Sequence, residues 1–237
     1  MTPRNRPLLA VLIDADNIPS KFASAILKEI GTFGDLTLRR VYGDWSTDHL
    51  KGWSEQVRQH GLVAHQNSAN TTGKNSSDIG LVIDAMDILH SGRFDGFVLV
   101  SSDSDFTALA NRIREHGLHV IGIGESKTPA SLRNVCNRFV LLENIVDDAP
   151  ARPNDRTKTA SKRPAKEAVP LIHAAMDKID PDSDRWTLSS LGKQIMSANT
   201  DFDTRSYGFK KLSDLINNLP QFKLRKTETG LQVQRVG

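Results

Sequence analysis

Two apolar segments of the chain each end in a pair of aspartates, and these carboxylates are the residues best suited to chemistry. The first segment, Leu8–Asn17, reads LLAVLIDADN, and the second, Gly96–Phe106, reads GFVLVSSDSDF. Gathered carboxylate oxygens suit hard divalent cations such as Mg²⁺ or Mn²⁺. Such ions activate water and stabilise the leaving oxygen of a phosphodiester. The four aspartates are Asp14, Asp16, Asp103 and Asp105.

The two apolar runs must be strands if they are to bring their aspartates together. Each run is rich in Val, Ile and Leu and too short for a helix, which is typical of a strand buried on both faces. Such strands belong to parallel sheets, where ligands bind outside the carboxyl ends. Asp14 and Asp103 are therefore expected at the same edge. Asp16 and Asp105 follow at the start of loops, where Asp105 could instead cap a helix.

A third acidic position begins the strongest predicted helix, which covers residues 78–90. Asp78 lies in line with the apolar stripe of this helix, so its side chain is expected to face the sheet. Two interpretations stay open from the sequence alone. Asp78 could complement the helix dipole in the first turn, or it could join Asp14 and Asp103 in a metal site.

Strand and helix patterns alternate along the first part of the chain. Further strands are predicted at residues 36–42, 62–65, 118–123 and 139–142, with helices between them. This alternation predicts a three-layer α/β/α sandwich with a mostly parallel sheet.

The last third of the chain has a different organisation. Residues 148–167 are rich in Pro, Ala, Lys and Arg and nearly free of bulky apolar side chains, which predicts a linker. Residues 168–237 are expected to form three helices, at 168–179, 188–196 and 204–217. A hairpin should follow, with strands at 222–225 and 231–235. This arrangement is a winged helix-turn-helix, and residues 1–147 form the other predicted domain.

The charge of the chain is unevenly distributed. Residues 1–149 hold 15 basic and 18 acidic residues, whereas residues 150–237 hold 16 and 10. A mildly acidic body with a basic tail suggests an anionic partner held by the tail. Cys136 is the only cysteine, which favours a reducing compartment, and no membrane span is apparent. A cytoplasmic protein is the expectation.

Several ordered motifs in residues 7–146 resemble the NYN domain, the PIN-like, LabA-type ribonucleases. The motifs run from the first strand to the second aspartate pair. They are Ile13-Asp14-Ala15-Asp16-Asn17, Tyr42-Gly43, Lys74-Asn75-Ser76-Ser77-Asp78 leading into Leu81-Val82-Ile83-Asp84-Ala85, and Ser101-Ser102-Asp103-Ser104-Asp105-Phe106. One departure is Ser102, where the family often has Gly.

The resemblance implies a PIN-like fold and an Mg²⁺- or Mn²⁺-dependent ribonuclease, in which Lys74 could contact the RNA backbone. The metal acids would be Asp14, Asp78, Asp103 and Asp105, with Asn17 supporting Asp14 as a further catalytic residue.

A second resemblance covers residues 166–236, mainly through YGFKKLSDLI from Tyr207 to Ile216. This segment is similar to the LOTUS (OST-HTH) domain, a winged-helix module linked to RNA and to protein partners. Lys210 and Lys211 are the residues expected to contact RNA.

The leading hypothesis is a metal-dependent ribonuclease, with the endonucleolytic mode as the working assumption. An RNA-binding regulatory protein without activity is the main alternative, and a small-molecule phosphatase is a minor one. The RNA target and the oligomeric state are left open.

Overall fold

The computed structural model describes residues 5–66, 76–146, 162–228 and 230–236. The chain divides into two compact units, residues 1–155 and 156–237. Lys74 and the greater part of the predicted linker, residues 148–161, lie outside the described residues. Within those residues, every helix is too short or too polar to cross a membrane.

The first unit contains a six-stranded sheet, and all of its pairings are parallel. The spatial order of the strands is β3-β2-β1-β4-β5-β6. The sequence prediction of a mostly parallel sheet is confirmed. The strands are β1 (Leu8–Asp14), β2 (Asp35–Gly43), β3 (Val63–Gln66), β4 (Gly96–Val100), β5 (His119–Gly124) and β6 (Arg138–Leu141).

Helices cover both faces of the sheet and complete three layers. α1, α2 and α6 pack on one face through apolar side chains such as Ile26 and Trp53. α3, α4 and α5 pack on the other through side chains such as Leu81 and Ile113. The helices are α1 (Ala23–Ile30), α2 (Lys51–His60), α3 (Ser76–His90), α4 (Thr107–Glu115), α5 (Ala130–Val135) and α6 (Leu142–Val146).

Strand β1 shows how the sequence pattern builds the two cores. Side chains alternate between the faces of a strand, so Leu9, Val11 and Ile13 pack against the α1 side. Ala10 and Leu12 pack against the α3 side. All five side chains are almost completely buried, which is why this segment is apolar without interruption.

The second unit is a small domain with its own core around Trp186 and Ile195. Three antiparallel strands form a sheet in the order β7-β9-β8. The elements are α7 (Val169–Ile179), β7 (Arg185–Thr187), α8 (Leu188–Ala198), α9 (Leu212–Asn217), β8 (Phe222–Thr227) and β9 (Gly230–Arg235).

Two features of this unit differ from the sequence prediction. The single third helix predicted over 204–217 is divided into a 3₁₀ turn, Thr204–Tyr207, and α9. Gly208 has a φ of 85°, a left-handed conformation that ends the turn. Strand β7 was not predicted because three residues are too few to show an alternating pattern, and only the pairing with β9 makes them a strand.

Candidate active site

The candidate site lies where the strand order of the sheet reverses. β1 and β4 are neighbours, yet the chain proceeds outward from β1 to β2 and, in the other direction, from β4 to β5. The connections after these strands separate and open a crevice, which is where α/β proteins of this kind bind ligands. Asp14 is the last residue of β1, and Asp103 follows shortly after β4 ends at Val100.

Asp14 is the buried member of the site, with 2% of its surface exposed. Its Oδ2 accepts hydrogen bonds from Asn17 Nδ2 at 2.6 Å and from Ser101 Oγ at 2.8 Å. Its Oδ1 accepts longer bonds from the backbone N–H groups of Asp16 and Asn17, at 3.2 and 3.3 Å. Burial raises the pKa of Asp14, although the bonds from Ser101 and Asn17 oppose that shift.

Ser101 connects the two aspartate pairs. Its buried hydroxyl donates to Asp14 and accepts a hydrogen bond from the backbone N–H of Asp103 at 3.1 Å. Because Ile13 pairs with Val100, the next residue on each strand, Asp14 and Ser101, follows in register. Strand register was the signal that could have identified Ser101.

Three other carboxylates form a cluster at the mouth of the crevice. One oxygen from each of Asp78, Asp103 and Asp105 can be chosen so that all three lie within 4.8 Å of one another. Asp103 also caps the 3₁₀ turn Ser104–Phe106, since its Oδ1 accepts from the N–H of Asp105 at 2.9 Å. Asp78 is the third residue of α3, so the start of this helix brings it to the loop after β4.

Burial and crowding change the acidity of Asp78. Partial burial, followed by the negative charges of Asp14, Asp103 and Asp105, raises the pKa of Asp78 to about 6. A carboxyl group shifted in this way is one that the fold prefers to neutralise, by a proton or by a cation. The shift is consistent with the interpretation that Asp78 belongs to the acidic cluster, beyond any helix-dipole role.

The donor set of the cluster fits a hard divalent cation. Three carboxylates with close oxygens offer the all-oxygen environment that Mg²⁺ and Mn²⁺ prefer. Asp14 does not belong to the close group, and both of its oxygens already accept hydrogen bonds. The prediction that Asp14 is also a metal ligand stays a prediction, and of the neighbouring charges Asp14 contributes most to the raised pKa of Asp78.

Gly43 ends strand β2 directly beside the site. A Cβ atom at this position would lie 2.5 Å from Leu50 Cδ1 and 3.4 Å from Asp16 Oδ1. A larger residue here would displace the Leu50 side chain and press on Ala15, which favours glycine at the end of β2.

Asp84 is a structural carboxylate that the sequence did not identify. It lies on α3, and its carboxylate accepts hydrogen bonds from the hydroxyl of Tyr42 and from the guanidinium of Arg40. Both donors belong to β2, so Asp84 joins α3 to the sheet. Asp87, one turn further along α3, is exposed.

The remaining predicted residues that the structure describes are exposed. Asn17 is exposed apart from its bonds to Asp14, and Asp105 is also exposed. Lys210 and Lys211 belong to the second unit, where both are exposed. They lie in the segment before α9 and not within a helix, because the third helix is interrupted.

A parallel sheet in this order is a doubly wound α/β fold, and with aspartates clustered at its switch point it is consistent with the PIN-like class. Within that class, a family model for the NYN domain matches residues 8–143, and the chain belongs to the NYN family. A second family model, for the OST-HTH/LOTUS domain, matches residues 160–234. NYN domains are a nuclease family and LOTUS domains bind RNA, so the pair supports a nuclease with an RNA-binding module.

Comparison with solved structures supports the fold. The chain is similar to VPA0982 of Vibrio parahaemolyticus, a protein of unknown function, with a TM-score of 0.51 and 18% identity. This match covers 60% of the present chain and 96% of that protein. A looser match to MurG of Acinetobacter baumannii has a TM-score of 0.39 and 9% identity, and covers 89% of this chain and 69% of that one. No curated protein matches the chain significantly.

Proposed function

We propose that this protein is a ribonuclease that depends on Mg²⁺ or Mn²⁺ and hydrolyses RNA phosphodiesters within the chain. The observation that carries the proposal is the close approach of the Asp78, Asp103 and Asp105 carboxylates at the switch point of the sheet. Their mutual repulsion is relieved when a cation enters. The nuclease family to which the chain belongs supports the same reaction class.

Asp78, Asp103 and Asp105 are the residues that would hold the metal, with Asp14 beside them as a further ligand. When bound, a divalent ion supplies Lewis acidity at the scissile phosphate and lowers the pKa of water. The protein contributes the positions of the carboxylates at the switch point of the sheet.

Asp14, Asn17 and Ser101 orient this cluster. The Ser101 hydroxyl holds the backbone N–H of Asp103 while it donates to Asp14. Asn17 donates to both oxygens of the Asp14 carboxylate, through its side-chain amide and its backbone N–H. Asp14 thereby anchors the loop after β4, and its buried negative charge adds to the field that attracts a cation.

Recruitment of RNA is assigned to the C-terminal module. The body is net negative, with 15 basic and 18 acidic residues in residues 1–149, and the tail is net positive, with 16 and 10. Phosphate contacts supply most of the non-specific affinity for RNA. Lys210 and Lys211 are proposed to make such contacts, and Lys74, which lies outside the described residues, is also proposed to contact RNA.

The decisive experiment compares Asp103→Asn with Asp87→Asn in the full chain. The substrate is a labelled single-stranded RNA, with a covalently closed circular RNA as a second substrate that only an endonuclease can cut. Cleavage should require Mg²⁺ or Mn²⁺ and stop in EDTA. Asp103→Asn should abolish it, whereas Asp87→Asn, an exposed change on α3, should not. Folding of both variants is checked by circular dichroism.

Other outcomes distinguish the alternatives. RNA binding without cleavage under all metal conditions would support a non-catalytic RNA-binding protein. Undiminished cleavage by folded Asp103→Asn would refute the site assignment.

A further inference from the structure

The sheet of the second unit has one face that the core does not use. Trp186 on β7, Val233 on β9 and Phe222 on β8 are buried and point to the helices. Because side chains alternate along a strand, their neighbours in sequence point away from the core. The outward residues are Arg185, Thr187, Lys223, Arg225, Gln232 and Gln234; we call them the outer sheet face.

The outer sheet face consists of two rows in register. In the first row, Gln234 on the central strand pairs with Arg185 on one side and Lys223 on the other. In the second row, Gln232 lies between Thr187 and Arg225.

The composition of this face is cationic and polar. Arg185, Lys223 and Arg225 are exposed, and none of them forms an ion pair with another described residue. Neither row contains an acidic or apolar side chain. The nearest acids in sequence are Asp184, which precedes β7, and Glu228, at the turn between β8 and β9.

The alternative RNA contact predicted at Lys210 and Lys211 has fewer exposed cations than the outer sheet face and has an acid close by. Lys210 and Lys211 are two exposed cations, and the exposed acid Asp214 follows within the first turn of α9. The outer sheet face carries three cations with no acid in its rows. Its strand geometry also spaces Lys223 and Arg225 regularly, about 7 Å apart along β8.

We propose that the outer sheet face binds the phosphate backbone of single-stranded RNA through its three exposed cations, with the Gln232 amide of the central strand available to ribose and base edges. This inference rests on the proposed recruitment of RNA by the C-terminal module. Arg225 and Lys223 track the backbone along β8, and Arg185 contacts it across the sheet. Charge complementarity selects RNA over an apolar protein partner, because the face offers no apolar anchor.

The test is a titration of the full chain with a labelled, mixed-sequence single-stranded RNA in EDTA, which prevents hydrolysis. Lys223→Gln with Arg225→Gln removes two cations at exposed strand positions. Lys166→Gln with Lys178→Gln removes two exposed cations from the helical side and serves as the matched control. Dissociation constants are measured at several salt concentrations, and melting temperatures verify folding.

The sheet-face variant should bind more weakly. The slope of log affinity against log salt concentration should be shallower by about 1.4, because each lost phosphate contact to a single strand accounts for about 0.7. The control variant should match the original chain. An unchanged affinity and slope would overturn the inference, as would a change in self-association, measured by sedimentation, with no change in RNA affinity.

A third variant separates this inference from the proposed function. If Lys210→Gln with Lys211→Gln weakens binding and the sheet-face variant does not, the module binds RNA through its helical side and only the inference fails. If the original chain does not bind RNA, recruitment itself fails.

Discussion

The carboxyl group of Asp78 couples the site to the stability of the fold. Its pKa is raised from an ordinary 3.8 to about 6, mainly by burial and then by neighbouring aspartates. Between about pH 4 and about pH 6, the native state therefore binds more protons at this position than the unfolded chain does. The contribution of Asp78 to stability is fully present below the unfolded-state pKa of 3.8. It is lost as the pH rises through the folded-state pKa of about 6.

Asp78→Asn should therefore raise the melting temperature of the metal-free protein at pH 7. The gain should shrink as the pH falls from about 6 towards 4 and disappear below about pH 3, where Asp78 is protonated in both states. A residual pH dependence should remain, because burial also raises the pKa of Asp14. Thermal melts in EDTA across this pH range measure the effect, with Asp87→Asn as the control.

Asp78 should also affect how much Mn²⁺ raises the melting temperature. An ion that binds only the native state stabilises it, so the original chain should gain more melting temperature than Asp78→Asn. Equal gains would show that Asp78 does not contribute to metal binding.

At the scale of elements, two aspartates of α3 contact other parts of the first unit. Asp78 meets the acidic cluster at the start of the helix, and Asp84 accepts hydrogen bonds from Tyr42 and Arg40 on β2. The hydroxyl-bearing ring of Tyr42 is 1% exposed. Loss of Asp84 would leave a buried donor and a partly buried cation without this partner.

Asp84→Ala should lower the free energy of unfolding by about 1.5–3 kcal/mol, the range for a hydrogen bond to a charged group. Tyr42→Phe removes only the donor and should cost about 1 kcal/mol. Asp87→Ala should be within about 0.5 kcal/mol of the original chain. Denaturant unfolding measures all three, and the double variant shows whether Tyr42 and Asp84 act as a pair. Additive losses would contradict the coupling.

At the scale of the whole molecule, the two units carry opposite net charge, −3 for residues 1–149 and +6 for residues 150–237. The acidic cluster belongs to the first unit, and the exposed cations of the outer sheet face belong to the second. This division predicts that binding and hydrolysis can be separated.

Residues 1–149 alone should bind RNA more weakly than the full chain, and the difference should be largest at low salt, where phosphate contacts contribute most. Hydrolysis at saturating RNA should survive in this fragment. Titration and cleavage assays at two salt concentrations test both points. Equal affinities would make the C-terminal unit a protein-interaction module.

The sequence by itself determined the parallel α/β class and the two-domain family membership. Uninterrupted runs of Val, Ile and Leu identify strands buried on both faces, and alternation with helices leaves few other topologies. The aspartates that end β1 and follow β4 could be identified for the same reason, since polar residues directly after such strands mark the carboxyl edge of the sheet.

Tertiary structure decided the relations between those residues. Ser101 links Asp14 to Asp103 because the register of β1 and β4 places them side by side. Asp84 faces β2 because of how α3 packs, and the third helix of the second unit breaks at Gly208. These features depend on contacts between residues far apart in sequence and on a left-handed backbone conformation, and neither is recorded in hydrophobic periodicity.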